Sequence, residues 1–309
     1  MWTVKNPVVR GVIAAVAAVA ASTTGAATML MAADAHYVAV VVSDSPIGYF
    51  RLGDAGPSVA DVTGHATGTA SGAVTFGVPG VLVGNPDTAA AFAGGSIKTT
   101  LLQQNVRQYT LEAWIKTSTN ASGAMTVFSS SRTGVDKGFA MFVGPVWPTA
   151  SAGRVTFALT NNSTVFIGVH SQRTVNDGRW HHVVGVYDTR AVPNRAILPD
   201  EFSIYIDGIL EANNVEAYYD CCQTTVPVSG DPTGTLIGGF ANPSMNFSGQ
   251  IDEAAIYKQA LSPERIRAHY RAGLPSPGPS RATECDGDRW ADFGFSNAGL
   301  CVSFLKRDQ

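Results

Sequence analysis

Phe247-Ser-Gly-Gln-Ile-Asp-Glu-Ala-Ala-Ile-Tyr257 and then Lys258-Gln-Ala-Leu-Ser-Pro-Glu-Arg-Ile-Arg-Ala-His-Tyr270 change from a two-residue period to a helical one without a long loop. In the first half Phe247, Gly249, Ile251 and Glu253 alternate with Ser248, Gln250, Asp252 and Ala254, and Ile256 and Tyr257 close the run. That pattern predicts a strand whose two sides meet different surroundings. On this alternation Asp252 and Glu253 point to opposite faces, and Asp252 sits where Asp is normally disfavoured. In the second half Ser262 is a helix cap, Pro263 fits the first helical position and Glu264 suits the positive end of the helix dipole. Leu261, Arg265, Ile266, His269 and Tyr270 follow at helical spacing, and Gly273 and Pro275 end the helix.

Moving outward from this stretch, short runs rich in Val, Ile, Thr, Phe and Tyr recur between glycines, of which the chain has 32. Tyr109 to Lys116 alternates cleanly, with Tyr109, Leu111, Ala113 and Ile115 on one side. Met125 to Ser129, Gly138 to Val143, Arg154 to Leu159 and Val165 to His170 follow at the spacing of successive sandwich strands. Gly178-Arg-Trp-His-His-Val-Val-Gly-Val-Tyr-Asp188 reads as a turn and then a strand apolar on both faces, hence central in its sheet. Phe202 to Ile206 enters a tight turn at Asp207-Gly208 and returns through Ile209-Leu210-Glu211. Ala89 to Phe92 and Ser96 to Thr100 read as another hairpin around Gly94-Gly95, and Tyr37 to Val42 as an apolar segment leading into a turn and a first strand. The expected class is all-β, a two-sheet antiparallel sandwich with a short C-terminal helix.

With 309 residues, 45% of them apolar and 15% charged, the chain buries a large core as one domain with flanking segments. A net charge of -3 without a Lys/Arg stripe argues against nucleic acid as a partner. Lys5 and Arg10 precede an uncharged run that lasts until Asp34, the layout of an export signal. Residues 1–35 are therefore a signal peptide, with Ala33 and Ala35 as the small residues before a cut. The alternative is an uncleaved anchor, through which alone the protein would meet a membrane. Either way the rest is secreted or lies at the cell surface. Residues 36–273 form the domain, residues 274–280 (Leu-Pro-Ser-Pro-Gly-Pro-Ser) a semi-rigid linker, and residues 281–309 a cysteine-bracketed tail.

Tyr109 to Lys116, Gly178 to Asp188, Phe202 to Gly208, the Phe247–Tyr257 run with Leu261-Ser-Pro-Glu264 and His269-Tyr270, and the opening Ser45-Pro-Ile-Gly-Tyr-Phe-Arg-Leu-Gly-Asp54 together resemble the LamG-like jelly-roll domain. That family lies within the concanavalin A-like lectin/glucanase superfold, and the resemblance covers about residues 37 to 273. It implies two curved antiparallel sheets with the first and last strands close together. It also implies a role in binding, through loops at the sheet edges or the concave face. Fold alone does not choose the ligand.

The related glucanases carry a Glu-x-Asp-x-x-Glu strand for retaining hydrolysis. None of the seven glutamates here, Glu112, Glu201, Glu211, Glu216, Glu253, Glu264 and Glu284, has that spacing. No nucleophile elbow, phosphate loop or His-Glu-x-x-His helix is present either, so no catalytic residue is expected. By resemblance, Asp252 is a ligand for one structural Ca²⁺ where the last strand passes the first, with Asp54 or Asp61 and nearby carbonyls completing the shell. His181 and His182 are neighbours on a strand and do not share one ion; His182 is expected to hydrogen-bond inside the sandwich, and Trp114 and Trp180 to be core. Trp147, Tyr218 and Tyr219 lie in predicted loops, where an aromatic face stacks on a sugar or docks a protein.

Four cysteines in an exported chain favour disulfides. Three connectivities are open, and the expected one pairs Cys285 with Cys301 and Cys221 with Cys222. Asp286, Asp288 and Asp292 resemble part of a calcium loop, although Trp290 stands at the third ligand position. The function expected from all this is non-catalytic recognition of a glycan or an extracellular protein. Self-assembly into a surface layer or filament is the second reading, and a glycoside hydrolase with an unrecognised site the third.

Overall fold

The computed structural model describes residues 36–82, 87–130, 138–145, 152–160, 165–189, 199–211, 228–230, 232–274, 281–287, 289–290 and 297–306. The first helix, α1, spans residues 36–42. Strands then follow in chain order: β1 Gly48–Phe50, β2 Ser58–Ala60, β3 Thr67–Ser71, β4 Val74–Pro79, β5 Thr88–Ala93, β6 Ser96–Thr99, β7 Gln108–Lys116, β8 Met125–Ser129, β9 Gly138–Val143, β10 Arg154–Thr160, β11 Val165–Thr174, β12 Trp180–Asp188, β13 Phe202–Ile206, β14 Ile209–Leu210, β15 Leu236–Ile237 and β16 Ser248–Tyr257. Helix α2 is Pro263–Ala272 and helix α3 is Ala298–Lys306. Among the described residues no helix is long and apolar enough to cross a membrane.

The first sheet runs β14-β13-β12-β7-β16-β5-β4, with β1 paired to β16, and the second runs β11-β10-β9-β8-β15-β6-β3-β2. Pairing within both sheets is antiparallel, and the first and last strands meet, as the resemblance implied. The apolar sides of the two sheets face each other. Phe139 lies 4.8 Å from Tyr187 and 5.6 Å from Phe157, and Phe202 lies 5.7 Å from Phe157, so aromatic rings from both sheets form the centre of the core. Gly185 is what lets Phe157 reach the centre of β12, because a Cβ there would stand 2.5 Å from its ring. Asp207-Gly208 forms the two-residue hairpin, both residues with positive φ (54° and 70°), which is the twist that a tight antiparallel turn requires.

Several local expectations change. Ala89–Phe92 and Ser96–Thr100 do not pair as a hairpin: β5 belongs to the first sheet and β6 to the second, so Gly94-Gly95 carries the chain between layers. Tyr37–Val42 is helical, and with α3 it makes three α-helices rather than one among the described residues. Ser262 Oγ accepts the Arg265 N–H, Pro263 opens α2 and Gly273 follows its last residue, as expected, with Gly273 in the right-handed region (φ −82°). Gly273 is small for a packing reason: a Cβ would stand 2.5 Å from Cζ2 of Trp114.

The strict alternation read for β16 fails at its centre. Asp252 pairs with Trp114, but the next partner pair is Ala255 with Glu112, so β16 carries a bulge and Glu253 takes φ +51°. A bulge adds a residue, and it turns the Glu253 side chain out of the expected opposite orientation.

Candidate functional site

The outer side of the first sheet is covered by an apolar layer that includes Tyr37 and Val41 of α1, Trp114 of β7, Ile266 and Tyr270 of α2, and Cys285 and Cys301 from the tail. Cys285 and Cys301 are bonded, as expected, with Cα atoms 5.6 Å apart. Cys221 and Cys222 lie outside the described residues, as do Trp147, Tyr218, Tyr219, Asp288 and Asp292. Under this layer lie two groups of buried carboxylates, and the physical demand on each is the same: a buried charge must be paired and hydrogen-bonded.

The first group centres on Glu112, which is fully buried. Its carboxylate accepts from His182 Nε2 at 2.7 Å, His269 Nδ1 at 2.9 Å and the Tyr257 hydroxyl at 2.8 Å. His269 reaches onward through Nε2 to Asp44 Oδ2 at 2.7 Å, and Arg265 Nε donates to the same Asp44 oxygen at 2.8 Å. Burial alone would push the Glu112 carboxyl up, but the charge on His269 and the hydrogen bonds from both histidines outweigh it and hold it well below the usual carboxylate range. His182 is hydrogen-bonded, as expected, but on the outer side of the first sheet under α2 rather than between the two sheets. The role of Glu112 was not read from the sequence, although an acidic residue on the buried-looking strand Tyr109–Lys116 opposite Trp-His-His was the available signal.

The second group lies where β16 passes β1. Arg51 Nη2 binds Glu253 Oε1 at 3.0 Å and Asp87 Oδ2 at 2.8 Å, and the Tyr49 hydroxyl donates to Glu253. Asp252 accepts the Val81 N–H at 2.8 Å and the Glu253 N–H at 3.0 Å. Burial pushes the Asp252 carboxyl up to about 7, with the two backbone N–H groups opposing and Asp87 adding to the rise. Burial and then the neighbouring charge of Asp252 likewise raise Glu253, which places the two carboxyls in one electrostatic environment.

The ligand set expected for Ca²⁺ does not assemble here. Asp61 spends both oxygens on its own loop, accepting the N–H groups of Tyr49, Thr63, His65 and Ala66 and the Thr63 hydroxyl. Asp54 accepts the Ala60 N–H at 3.0 Å. These carboxylates hold turns, and a carboxylate already taking four N–H donors has little left for a cation. Among the described residues no group of three or more His, Cys, Asp or Glu side chains is arranged to hold a metal ion.

A third polar cluster anchors the β13–β14 hairpin. His181 Nδ1 meets Asp207 Oδ2 at 2.9 Å and its Nε2 meets Asp177 Oδ1 at 3.1 Å, while Arg173 Nε donates to Glu211 Oε1 at 2.7 Å. Burial disfavours the imidazolium, but the charge of Asp207 and the bonds to both carboxylates win and raise His181 to about 10. Glu211 also accepts the N–H groups of Gln172 and Arg173, fastening the end of β14 to the edge of the second sheet.

The outer side of the second sheet has a different character. Cross-strand partners share a face, and Thr126, Phe142, Thr156 and His170 form one row across β8, β9, β10 and β11. The side-chain hydroxyls of Thr126 and Thr156 are buried and have no hydrogen-bond partner among the described residues. Two strand spacings put them about 10 Å apart, on either side of Phe142. The connection after β15 lies against this row, with Phe240 edge-on to Phe142 at 5.6 Å. The sequence reading did not reach this row, since Thr126 and Thr156 differ from other strand threonines only in what surrounds them.

A family model described as the concanavalin A-like lectin/glucanases superfamily matches residues 87–267, more than half of the chain. The chain belongs to this superfamily. No curated protein sequence matches it. Among solved structures it is similar to domain 4 of a GH43 extracellular arabinanase from Geobacillus stearothermophilus, solved with arabinotriose, at 17% identity over 73% of this chain and 98% of that one, TM-score 0.48. It is also similar to the receptor-binding domain of botulinum neurotoxin mosaic serotype C/D, at 17% identity over 74% of this chain and 51% of that one, TM-score 0.50. A third is Trypanosoma rangeli sialidase, at 15% identity over 72% of this chain and 32% of that one, TM-score 0.45. At such identities the likeness is one of fold.

Proposed function

We propose that this protein is an exported, non-catalytic recognition module that binds a glycan or an extracellular protein with the outer side of its second sheet. The observation that carries the reading is the pair of unpartnered hydroxyls, Thr126 and Thr156, flanking Phe142. An unpaired buried hydroxyl costs about 1–3 kcal/mol, and such groups in a native structure call for a reason. Two of them in one row beside an aromatic ring fit a ligand rich in hydroxyl or amide groups, which would supply the missing bonds. Binding rather than hydrolysis is supported by the fate of the carboxylates. Glu112, Asp207, Asp252 and Glu253 are all buried and hydrogen-bonded to structural partners, so none is poised as an acid or base toward a substrate. The Cys285–Cys301 bond supports an oxidising compartment.

The test is a glycan array probed with the purified protein, run beside a panel of extracellular matrix and surface proteins. The reading expects saturable binding to a defined glycan or protein class. Absence of binding on both, with multimers in solution, would instead favour self-assembly.

A further inference from the structure

His269 is the junction between the two ends of the domain. It sits on α2 with Nδ1 at 2.9 Å from Glu112 Oε1 and Nε2 at 2.7 Å from Asp44 Oδ2, so each ring nitrogen faces a carboxylate oxygen at hydrogen-bond distance. A neutral imidazole has one N–H and one lone pair, and the lone pair would then confront a carboxylate; only the imidazolium donates to both. The groups around the ring come from every neighbouring element. Glu112 is on β7, Asp44 follows α1, the Tyr257 hydroxyl and the His182 ring bind Glu112 from β16 and β12, Arg265 binds Asp44 from α2, and Tyr37 lies near Glu112 from α1. Two carboxylates thus face one guanidinium and two histidine rings; His182 meets a carboxylate through Nε2, whereas His269 meets one at each ring nitrogen, which singles out His269 as the ring that donates twice. Burial opposes the proton, but the charge of Glu112 and the two bonds outweigh it.

What the ring holds down is a strap. Arg265 Nη2 donates to the Val40 carbonyl at 3.2 Å and to Ser43 Oγ at 3.0 Å, Gln259 donates to the Asp44 carbonyl, and Tyr37 takes the Trp114 Nε1–H at 3.0 Å. Residues 36–44 thereby lie across the outer side of the first sheet and cover Trp114. We infer that residues 36–44 form a charge-latched strap, closed by the His269 imidazolium between Asp44 and Glu112, which lifts from the sheet when the ring loses its proton or Asp44 loses its charge.

The test uses the full chain. Nitrogen-15 spectra of the histidine rings at pH 7.5 are expected to show His269 protonated on both nitrogens. Hydrogen exchange of the Ser43, Asp44 and Ser45 amides, which are bonded within the strap, is expected to quicken by about tenfold or more in Asp44→Asn, after correction for intrinsic rates, while amides between β7 and β12 change far less. Wild-type protein carried above the titration of the ring should reproduce that local loss. A single-tautomer neutral ring at pH 7.5 overturns the inference. So does strap exchange that quickens only in step with the β7 and β12 amides, because a merely structural contact would lower protection everywhere together.

Discussion

Replacing Glu112 by Gln removes one charge and almost no volume, which makes it a direct probe of what the buried network contributes. Glu112 accepts from three donors, His182 Nε2, His269 Nδ1 and the Tyr257 hydroxyl, at 2.7 to 2.9 Å, and has no access to water. A glutamine amide offers one oxygen in place of two and turns an NH₂ toward at least one of those donors. The His269 imidazolium also loses one of its two carboxylates. Breaking a buried pair from one side typically costs about 3–5 kcal/mol. For a domain of this size that corresponds to a fall in Tm of roughly 6–20 °C. Calorimetry and urea unfolding at pH 7 measure it, and pairing the change with His269→Gln is expected to give a loss well short of the sum, since both substitutions break the same contact. A loss under about 1 kcal/mol, or strict additivity of the pair, would refute the reasoning, because exposed ion pairs are worth that little.

Three other outcomes follow from the geometry. Changing both Cys285 and Cys301 to Ser should cost about 3 kcal/mol, the value for freeing a loop of that length, and should loosen the tail in hydrogen exchange. His181 is raised from 6.5 to about 10, so its contribution to stability is fully present below pH 6.5 and is lost as pH rises through 10. Urea unfolding between those limits should fall by no more than about 1.4 kcal/mol per pH unit from this group, and His181→Asn should flatten the slope. Because Asp61 and Asp54 are taken up by backbone N–H groups, EDTA treatment is expected to leave Tm unchanged; a drop of several degrees, restored by Ca²⁺, would show a ligand set other than these residues at work.

Periodicity carried most of the sandwich. Tyr109–Lys116, Met125–Ser129 and Gly138–Val143 lie within or match β7, β8 and β9, and the Asp207-Gly208 turn is where the dipeptide placed it. These features are local, and local chemistry states them. The failures share the opposite property. The bulge at Glu253 depends on Tyr49 and Arg51, two hundred residues away in sequence, offering the carboxylate a partner. Gly94-Gly95 joins two sheets rather than two strands of one sheet, and only tertiary packing distinguishes those cases. Asp252 was correctly singled out as out of place in a strand, but its partners are the Val81 and Glu253 N–H groups rather than Asp54 and Asp61. Helix α1 is short and follows a long apolar run, so its period was submerged in its surroundings.

The central claim is that the second sheet keeps two hydroxyls unpaired for a ligand. Thr126→Val combined with Thr156→Val keeps shape and removes both. Titration calorimetry of the wild type and the double variant with the best ligand from the array, alongside urea unfolding of each, tests the claim in one experiment. The account predicts that the variant is as stable as the wild type or more so, since a buried unpaired group has been replaced by an apolar one, and that binding falls at least tenfold. Undiminished binding, or a variant destabilised by more than about 1 kcal/mol, would contradict it.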